Sequence, residues 1–343
     1  MNLYLYPQAA NKRDGFGIAV EAAFLKQRPK PDDVIVWLTT YERSQMLHVK
    51  DNDFIIPRNK VLSIKTFYNL IRGRNRCEFS AKELSFLKQY EFDNIHCDDV
   101  IFYDAIRKLF PKNRVNLRFH NCFSRIEVRN QFLHRKMGFV YWIKCQIMKR
   151  LETKIFNDRN VHKIFLTDED RNFYCSTYGI YSDSETWHFI PSKATSASED
   201  EDYKFTNKLV WFGGIESHKE SSVRWFVKEV FPLLLKKYPN LEFHLWGKKT
   251  DAFNNPQNHI FGHGFYNGQG LPLKNSLYVN PDIIGGGVKI KLSYLMEHKV
   301  PFISSPFGFE GYSHDLIDDK YCIVEEESRW VERISYILDN YGE

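Results

Sequence analysis

Short apolar runs alternate with longer stretches of helical periodicity along most of the chain, and this alternation restricts the folds that it can adopt. In the first half, the apolar runs predict strands at 3–6, 34–38, 94–97, 115–119 and 163–166. Between them, helical patterns lie at 17–27, 99–109 and 169–178. Strands that alternate with helices in this way are typical of βαβ units, in which helices cover a parallel sheet.

A break in composition divides the chain. The run 187–190 predicts a strand that ends at Pro191, and the small, polar, acidic segment 192–202 follows it. The alternation then restarts, with predicted strands at 209–212, 241–246, 276–279 and 301–304 and predicted helices at 221–237 and 288–298. At 343 residues, the chain is predicted to form two domains, at 1–185 and 186–343. The expected fold class is α/β, with two doubly wound Rossmann-like domains facing a cleft.

Charge and cysteine content limit the classes of partner. The net charge of +5 suits an anionic ligand or membrane surface and is too small for a dedicated nucleic-acid-binding protein. The six cysteines are scattered, so we expect neither a metal site nor a disulfide framework. The N-terminal residues lack a signal-peptide pattern, and no apolar stretch reaches the ~18 residues that span a bilayer. We therefore expect a cytoplasmic protein whose membrane contact, if any, is peripheral and on the inner face.

One long helix is predicted from 133 to 155, where apolar residues recur at helical spacing. Its segment 134–150 carries a second apolar group, formed by Phe139, Trp142 and Ile143. Basic residues flank that group at positions 135, 136, 149 and 150. Such a helix could lie on an anionic membrane and reach a lipid-linked acceptor. The alternative, which is the commoner case, is that both faces are buried within the domain.

A triple glycine precedes the predicted helix 288–298. Glycines allow the backbone to approach a phosphate closely, and a helix N-terminus offers free N–H groups with a partial positive charge. Lys289 and Lys291 add cations at that same end, which the helix dipole alone disfavours, so the pattern indicates a bound anion. The alternative is a flexible turn that leads into an ordinary helix.

Four stretches, in order along most of the chain, together resemble family 4 glycosyltransferases. Residues 280–312, NPDIIGGGVKIKLSYLMEHKVPFISSPFGFEGY, resemble the donor-side signature of that family, and 209–247 resemble its first donor-domain strand, phosphate loop, helix and second strand. In the first half, NLRFHNCFS with the following helix and IFLTDEDRNFY resemble the family's strand, His-Asn, helix, strand and Asp sequence. The segment 14–17 lies where the family has a glycine loop.

The resemblance implies a GT-B fold and a set of site residues. It places His120 at the sugar end of the cleft, Glu310 near the donor sugar or nucleotide, and Asp14 in the loop that faces donor phosphate or acceptor. These three are the candidate catalytic residues. The implied donor-binding residues are Gly15, Gly17, Gly214, Lys219, Gly247, Gly285, Gly286, Gly287, Lys289, Lys291 and Tyr294. Structural alternatives exist for each: His120 as a hydrogen-bonded histidine at a strand end, Lys219 and Glu310 as surface charges, and Asp14 as a helix N-cap.

The chain departs from the family pattern at three positions. Tyr294 stands where the family has the glutamate that holds the donor ribose, the preceding glutamate falls near Gly286, and a frequent arginine is replaced by Gly214. The resemblance implies a retaining reaction. An inverting reaction would need a general base, for which Asp14 and Asp98 are the candidates.

The expected function is transfer of a sugar from a UDP- or GDP-sugar to a cell-surface glycan or a lipid-linked oligosaccharide precursor. The phosphate cradle predicts that neither a metal nor another cofactor is needed. Two alternatives remain open. One is an epimerase or phosphorylase on the same scaffold, and the other is a non-catalytic protein that binds a glycan or another partner.

Overall fold

A computed structural model describes residues 1–10, 15–57, 64, 68–69, 72, 79–133, 135–179, 183–188, 205–215, 217–265, 275–283, 286–318 and 322–341. The chain divides into two compact units, Met1–Phe189 and Ile190–Glu343. Each unit contains a parallel sheet, described here by itself.

The sheet of the first unit runs in the order β3-β2-β1-β4-β5-β6-β7. Its strands are β1 (Asn2–Tyr6), β2 (Val34–Leu38), β3 (Phe54–Ile56), β4 (Asn94–Cys97), β5 (Val115–Phe119), β6 (Val161–Phe165) and β7 (Ser184–Thr186). Every residue of β2 is buried, as expected for a strand covered on both faces. The order reverses between β1 and β4, which pair with Leu3 opposite Ile95. In open α/β sheets, ligands bind outside the carboxyl ends of the strands at such a switch point.

The helices of this unit are α1 (Gly15–Gln27), α2 (Tyr103–Leu109), α3 (Phe123–Leu133), α4 (Gly138–Phe156) and α5 (Asp168–Tyr178). Thr167 caps α5, because its hydroxyl accepts a hydrogen bond from the backbone N–H of Asp170. A large core of aliphatic and aromatic side chains, including Phe119, Phe165 and Tyr174, fills one side of the sheet. This packing holds the carboxyl ends of the strands in place.

The sheet of the second unit runs in the order β10-β9-β8-β11-β12-β13, and its switch point lies between β8 and β11. Its strands are β8 (Lys208–Phe212), β9 (Glu242–Trp246), β10 (Ile260–Gly262), β11 (Leu277–Asn280), β12 (Phe302–Ser304) and β13 (Cys322–Val324). The register sets Leu277 opposite Leu209. Both units therefore have the doubly wound architecture predicted from the sequence.

The helices of the second unit are α6 (Ser217–Trp225), α7 (Phe231–Lys237), α8 (Ile290–Glu297) and α9 (Trp330–Tyr341). A π-helical stretch, Phe226–Val230, joins α6 to α7 without a break. Pro232 lies two residues after it, and proline has no N–H to donate to an α-helical ladder. The wider turn accommodates this missing hydrogen bond, and Phe231 donates instead to the carbonyl of Phe226.

Several predicted elements differ from the structure. The strand expected at 187–190 is found earlier, at β7: positions 187 and 188 are not in a strand, and 189–190 lie outside the described residues. The helix expected from 133 to 155 begins later, as α4, after the short 3-10 turn Arg135–Met137, and position 133 is the last residue of α3. Gly138, a poor helix former, begins the second helix. The apolar stripe at 137 and 140 is exposed, whereas Leu151 and Ile155 enter the core.

Candidate functional site

The loops after β8 and β9 approach each other closely at the switch point of the second unit. Gly213 donates from its N–H to the carbonyl of Trp246, at 2.9 Å. Gly247 has φ +134°, and a Cβ there would overlap the carbonyl oxygen of Gly213. Glycine at 247 is therefore required by the backbone alone. Gly214 differs, because a Cβ there would meet nothing within 4 Å, so this loop has open space beside it.

One buried carboxylate lies among three lysines where β11 ends. The Nζ atom of Lys291 is 3.1 Å from Oδ2 of Asp282, whose side chain is 1% exposed. Burial by itself raises the pKa of Asp282, but the ammonium groups of Lys291, Lys289 and Lys219 outweigh it, so the pKa lies below the ordinary value of 3.8. Asp282 contacts one of these lysines, and the three lysines outnumber this single carboxylate.

Lys289 connects this cluster to the glycine loop. Its ammonium donates to the carbonyl of Gly287 at 2.9 Å and to that of Gly286 at 3.3 Å. The same Nζ atom lies 4.6 Å from the centre of the Phe307 ring. Gly287 adopts φ +59°, the left-handed conformation that favours glycine. Gly285 lies outside the described residues.

Helix α8 begins directly after Lys289, and the buried hydroxyl of Tyr312 fixes its first turn. That hydroxyl donates to the carbonyl of Lys289 at 3.0 Å and accepts from the N–H of Ser293 at 3.2 Å. Tyr294 is half-buried and packs its ring edge-on against Phe212, with centroids 5.9 Å apart. Its position is thus accounted for by packing.

Two other predicted donor-side residues are also half-buried. Lys219 lies in the first turn of α6, and Glu310 lies in the turn after β12. The backbone N–H of Glu310 donates to the carbonyl of Phe307, at 3.2 Å. Phe307 is the residue whose ring lies beside the Lys289 ammonium. The FGFEGY segment therefore belongs to the surroundings of the lysine cluster.

In the first unit, the predicted glycine loop follows β1 at the switch point. Asp14 lies outside the described residues. Helix α1 begins at Gly15, and Gly17 is buried in its first turn. The next turn is tied to β5, because Nη2 of Arg118 donates to the carbonyl of Ala19 at 2.9 Å. The start of α1 and the end of β5 are thus directly connected.

His120 follows β5 and is 8% exposed. Its Nε2 lies 2.7 Å from the backbone carbonyl of Asp98 and 3.3 Å from Oδ2 of the same residue. The Asp98 carboxylate also pairs with the guanidinium of Arg118, whose Nη2 donates to Oδ2 at 3.0 Å. The three side chains form one buried cluster at the carboxyl ends of β4 and β5. We call it the His120 cluster.

A second buried carboxylate anchors the helix that follows His120. Glu152 of α4 accepts from the N–H of Ser124 at 3.0 Å and from the hydroxyl of Tyr178 at 2.7 Å, and the Ser124 hydroxyl also contacts it. Burial raises the pKa of Glu152, and these hydrogen bonds offset the rise only in part. Because Ser124 lies in the first turn of α3, the carboxylate satisfies a backbone N–H at the helix start.

The α3–α4 corner exposes large apolar side chains. Phe132 is 75% exposed, Phe139 is 72% exposed and Trp142 is 46% exposed. Arg135 and Lys136 are exposed in the turn between the helices, and a surface groove further along α4 is lined by Trp142, Ile143, Gln146, Ile147, Lys149, Arg150 and Thr153. The alternative expectation, that both faces of 134–150 are buried, is wrong for these side chains. We call this region the α4 surface.

Among the described residues, no group of three or more His, Cys, Asp and Glu side chains is arranged to hold a metal ion. None of the helices in the described ranges has the length and apolar character needed to cross a bilayer.

The structure brings together Lys219, Lys289 and Lys291 at one switch point, and it holds His120 at the carboxyl edge of the other sheet. Two residues of these clusters were not predicted from the sequence: Asp282, the acidic partner of the lysines, and Arg118, whose guanidinium lies beside His120. A signal for the first existed, since an aspartate two residues after a buried strand and before a glycine run lies at the ligand edge of a sheet. For Arg118, the signal was the one charged residue in a mostly apolar strand.

Comparisons with known proteins find structures but no sequence relatives. No protein-family model matches the chain, and no curated protein matches its sequence. Sucrose-phosphate synthase from Thermosynechococcus elongatus superposes with a TM-score of 0.65 at 10% identity, over 99% of this chain and 90% of that one. WaaG, a glycosyltransferase involved in lipopolysaccharide biosynthesis, superposes with a TM-score of 0.63 at 13% identity, over 99% of this chain and 91% of that one. Anabaena HepE, solved with UDP and glucose, superposes with a TM-score of 0.60 at 8% identity, over 99% of this chain and 90% of that one.

These similarities are to GT-B proteins, and at such low identity they show the fold. The chain has the GT-B fold, as the resemblance implied. What these neighbours bind or transfer does not follow for this chain from the superposition.

Proposed function

We propose that the chain is a glycosyltransferase of the hexosyltransferase type, acting in polysaccharide biosynthesis with a nucleotide-sugar donor. The observation that carries the proposal is the contact of Lys291 with the buried carboxylate of Asp282, with Lys289 and Lys219 near enough to lower the pKa of that carboxylate, beside a glycine loop and the start of α8. A group of lysines at a glycine loop and a helix start suits a nucleoside diphosphate. The neighbour HepE, solved with UDP and glucose, supports this choice of ligand.

The proposed chemistry uses the cluster to stabilise a leaving group. As the bond between the anomeric carbon and the β-phosphate oxygen breaks, its electron pair goes to the phosphate, and negative charge grows there. Lys289 would leave the glycine carbonyls and donate to that phosphate, together with the N–H groups at the start of α8. The acceptor oxygen bonds to the anomeric carbon, and its proton passes to the departing phosphate.

We propose retention of the anomeric configuration. Inversion through Asp98 is disfavoured because its carboxylate is 1% exposed and already paired with Arg118 and His120. A buried carboxylate in this state is a poor base for an acceptor hydroxyl. We assign His120 to the sugar end of the site, Glu310 to the donor side and Asp14 to the loop after β1.

The donor proposal is tested by thermal shift and turnover. We expect UDP or GDP to raise the melting temperature, and the matching nucleotide-sugar to release its nucleoside diphosphate faster when an acceptor is added. Because lysines and N–H groups replace a metal in the proposed cradle, turnover should persist in excess EDTA. Activity lost in EDTA and restored by Mn²⁺ or Mg²⁺ would contradict the metal-free cradle.

For the acceptor, we propose a cell-surface glycan or a lipid-linked oligosaccharide precursor at the inner face of a membrane. The support is the α4 surface, where the exposed Phe139 and Trp142 lie next to Arg135 and Lys136. Aromatic side chains beside cations are the combination that binds an anionic bilayer surface. WaaG acts in lipopolysaccharide biosynthesis, which is consistent with an acceptor of this kind.

Vesicle sedimentation tests the membrane contact. We expect binding to vesicles that contain phosphatidylglycerol and little binding to pure phosphatidylcholine, with loss of binding at high salt. Phe139→Glu should reduce binding to the anionic vesicles at least fivefold. Leu233→Glu is the matched control, since it changes a 49% exposed apolar residue of the second unit. Equal binding to both lipids, or equal loss in the two variants, would contradict the proposal.

A non-catalytic protein on the same fold is the second candidate. One observation favours it: Tyr294 replaces the expected ribose glutamate and packs against Phe212. Nucleotide-sugar binding without turnover, over a panel of glycan acceptors, would support this candidate over the transferase. The epimerase and phosphorylase alternatives predict a different result, namely donor conversion or phosphate-dependent turnover without a glycan acceptor.

A further inference from the structure

We infer that Ser305 is a positioning residue for the lysines around Asp282, because its hydroxyl connects the loop that carries Asp282 to the turn 306–310. The effect of this connection on nucleotide binding rests on the proposed transferase function. The connection itself rests on the geometry of the second unit alone.

One buried hydroxyl holds both segments. Ser305 directly follows β12, and its side chain is fully buried. The hydroxyl donates to the backbone carbonyl of Asp282 and accepts a hydrogen bond from the N–H of Gly308 at 2.9 Å. A hydroxyl group has one donor and two acceptor lone pairs, so it can make both bonds at once. Without it, a carbonyl and an N–H in a buried place both lose their partner.

The backbone of Ser305 makes two further bonds in the same two directions. Its N–H donates to the carbonyl of Asn280 at 3.2 Å, and its carbonyl accepts from the N–H of Phe309 at 3.1 Å. Ser305 is therefore bonded twice to the end of β11 and its following loop, and twice to the turn 306–310. A serine whose hydroxyl accepts from an N–H three residues later occupies the position of a capping residue.

The turn also packs closely against the ends of the two strands. A Cβ at Gly308 would overlap the side-chain amide of Asn280 and the hydroxyl of Ser304. That amide donates to the Ser304 hydroxyl at 2.9 Å, so the surface beneath the turn is itself fixed. Such close packing leaves the turn little freedom to shift while the Ser305 hydroxyl is in place.

Each of the two segments contacts a lysine. The carboxylate of Asp282, in the first segment, lies 3.1 Å from Nζ of Lys291. The ring of Phe307, in the turn, lies 4.6 Å from Nζ of Lys289. The Ser305 hydroxyl thus fixes a partner of each lysine. Because a misplacement of about 1 Å costs on the order of 10²-fold in rate, the placement of these partners affects how well the ammonium groups meet a phosphate.

The first experiment needs no ligand. Hydrogen exchange followed by NMR compares the amides of Gly308 and Ile283 in the wild type, Ser305→Ala and Ser305→Thr. Ile283 follows Asp282 and donates to the hydroxyl of Ser222 at 3.3 Å, so its amide reports on the loop after β11. We expect both amides to exchange faster in Ser305→Ala and at the wild-type rate in Ser305→Thr, which keeps the hydroxyl.

Three results would overturn the connection. Faster exchange at Gly308 alone would show that the hydroxyl caps the turn without holding the Asp282 loop. Unchanged exchange at both amides would show that it holds neither. Equally fast exchange in Ser305→Ala and Ser305→Thr would show that the hydroxyl is not the group responsible.

The second experiment is a double-mutant cycle on nucleotide affinity, measured by calorimetry with UDP and with GDP. We expect Ser305→Ala to raise Kd about fivefold or more, because Lys289 is no longer held in place. The additional loss caused by Lys289→Ala should then be at least about fivefold smaller in the Ser305→Ala background than in the wild type. Effects that simply multiply would overturn the positioning role, since Ser305 would then act independently of Lys289.

Ser293→Ala is the matched control. It removes an equally buried hydroxyl of the same unit that donates to the carbonyl of Ile290 within α8, at 2.9 Å, and it keeps the backbone N–H. Its nucleotide affinity should stay near that of the wild type. If the wild type binds neither UDP nor GDP, the proposed function is in question, and the exchange of the two amides still decides whether Ser305 connects the two segments.

Discussion

Each unit buries a carboxylate beside the loops that follow its strands, and the two carboxylates lie in opposite surroundings. In the first unit, Glu152 accepts hydrogen bonds from the neutral groups of Ser124 and Tyr178. In the second unit, Asp282 lies next to Lys291, with two further lysines nearby. Burial raises the pKa of Glu152, whereas the lysines hold the pKa of Asp282 below its ordinary value.

The difference separates two kinds of polar site. A carboxylate surrounded by neutral donors holds a loop and a helix start in shape, and it attracts no further charge. A carboxylate outnumbered by cations lies in a positive environment, which suits an anionic ligand. Under the proposed function, the second unit binds the diphosphate and the first unit orients the sugar.

The largest expected effect comes from removing the Asp282 charge. Asp282→Asn leaves Lys291 without its counterion, and we expect the second unit to lose ~3–5 kcal/mol of unfolding free energy. Urea titration followed by hydrogen exchange with mass spectrometry resolves the loss by unit. Asp282→Asn combined with Lys291→Met should recover most of the loss, since no lone buried charge remains. A loss below about 1 kcal/mol in the single variant would show that solvent, and not Asp282, compensates the charge of Lys291.

The acid stability of the second unit tests the same pair. Because the folded-state pKa of Asp282 is lowered, its contribution to stability is present above pH 3.8 and is lost as the pH falls through the lower folded-state value. We expect the wild-type second unit to weaken in this acidic range more steeply than the Asp282→Asn variant. Parallel pH profiles for the two proteins would contradict the assigned charge pair.

The next effect is on ligand affinity. Lys289→Ala should weaken nucleoside diphosphate binding by ~1.5–3 kcal/mol, or roughly 10- to 150-fold in Kd, because a charge-assisted hydrogen bond is lost. Calorimetry measures the change, and Lys236→Ala on the exposed side of α7 is the matched control. Unchanged affinity in Lys289→Ala would remove this lysine from the site and weaken the contrast between the units.

The smallest effect is expected at Glu152. Its folded-state pKa is raised, so its contribution to stability is present below pH 4.5 and is lost as the pH rises through the folded-state value. Glu152→Gln keeps the shape and has no charge, so we expect stability within about 1 kcal/mol of the wild type at pH 4.5. At higher pH the variant should become more stable relative to the wild type. Urea titrations of both proteins across pH 4.5–8 check this. If Glu152→Gln instead became less stable relative to the wild type as the pH rises, the raised pKa of Glu152 would be contradicted.

The architecture was predictable from the sequence because the longer strands are nearly pure runs of apolar residues. The buried strands β1, β2 and β5 lie at the predicted positions. The short strands β3, β10 and β13 were not predicted, since three residues carry no periodicity. The late start of α4 was missed because the apolar residues at 133, 137 and 140 continue the helical pattern across the turn Arg135–Met137.

The candidate site was predictable only in part. The glycine run and Lys289 are close together in the sequence, so the backbone loop at a helix start could be predicted from them directly. The partner of His120 is set by the register between β4 and β5, which brings Asp98 beside it, and the partner of Lys291 is set by the turn between β11 and α8. These pairs are separated by 22 and 9 positions in the chain, so neither partner is a neighbour in sequence. Gly247 is the opposite case. It was predicted to bind the donor, but its close backbone contact with Gly213 requires glycine there without any ligand.

The π-helical stretch Phe226–Val230 makes the long helix of the second unit unusually tolerant of a change in chain length. A π turn holds one residue more than the α-helix around it, yet the residues beyond it, such as Phe231 and Leu234, still point into the core. Deleting one residue inside the stretch would restore a regular helix and leave the buried face of α7 in place. The same deletion elsewhere in α6 or α7 would rotate everything after it by about 100°. When distant sequences are aligned to this chain, the single-residue gap in this helix therefore belongs at 226–230.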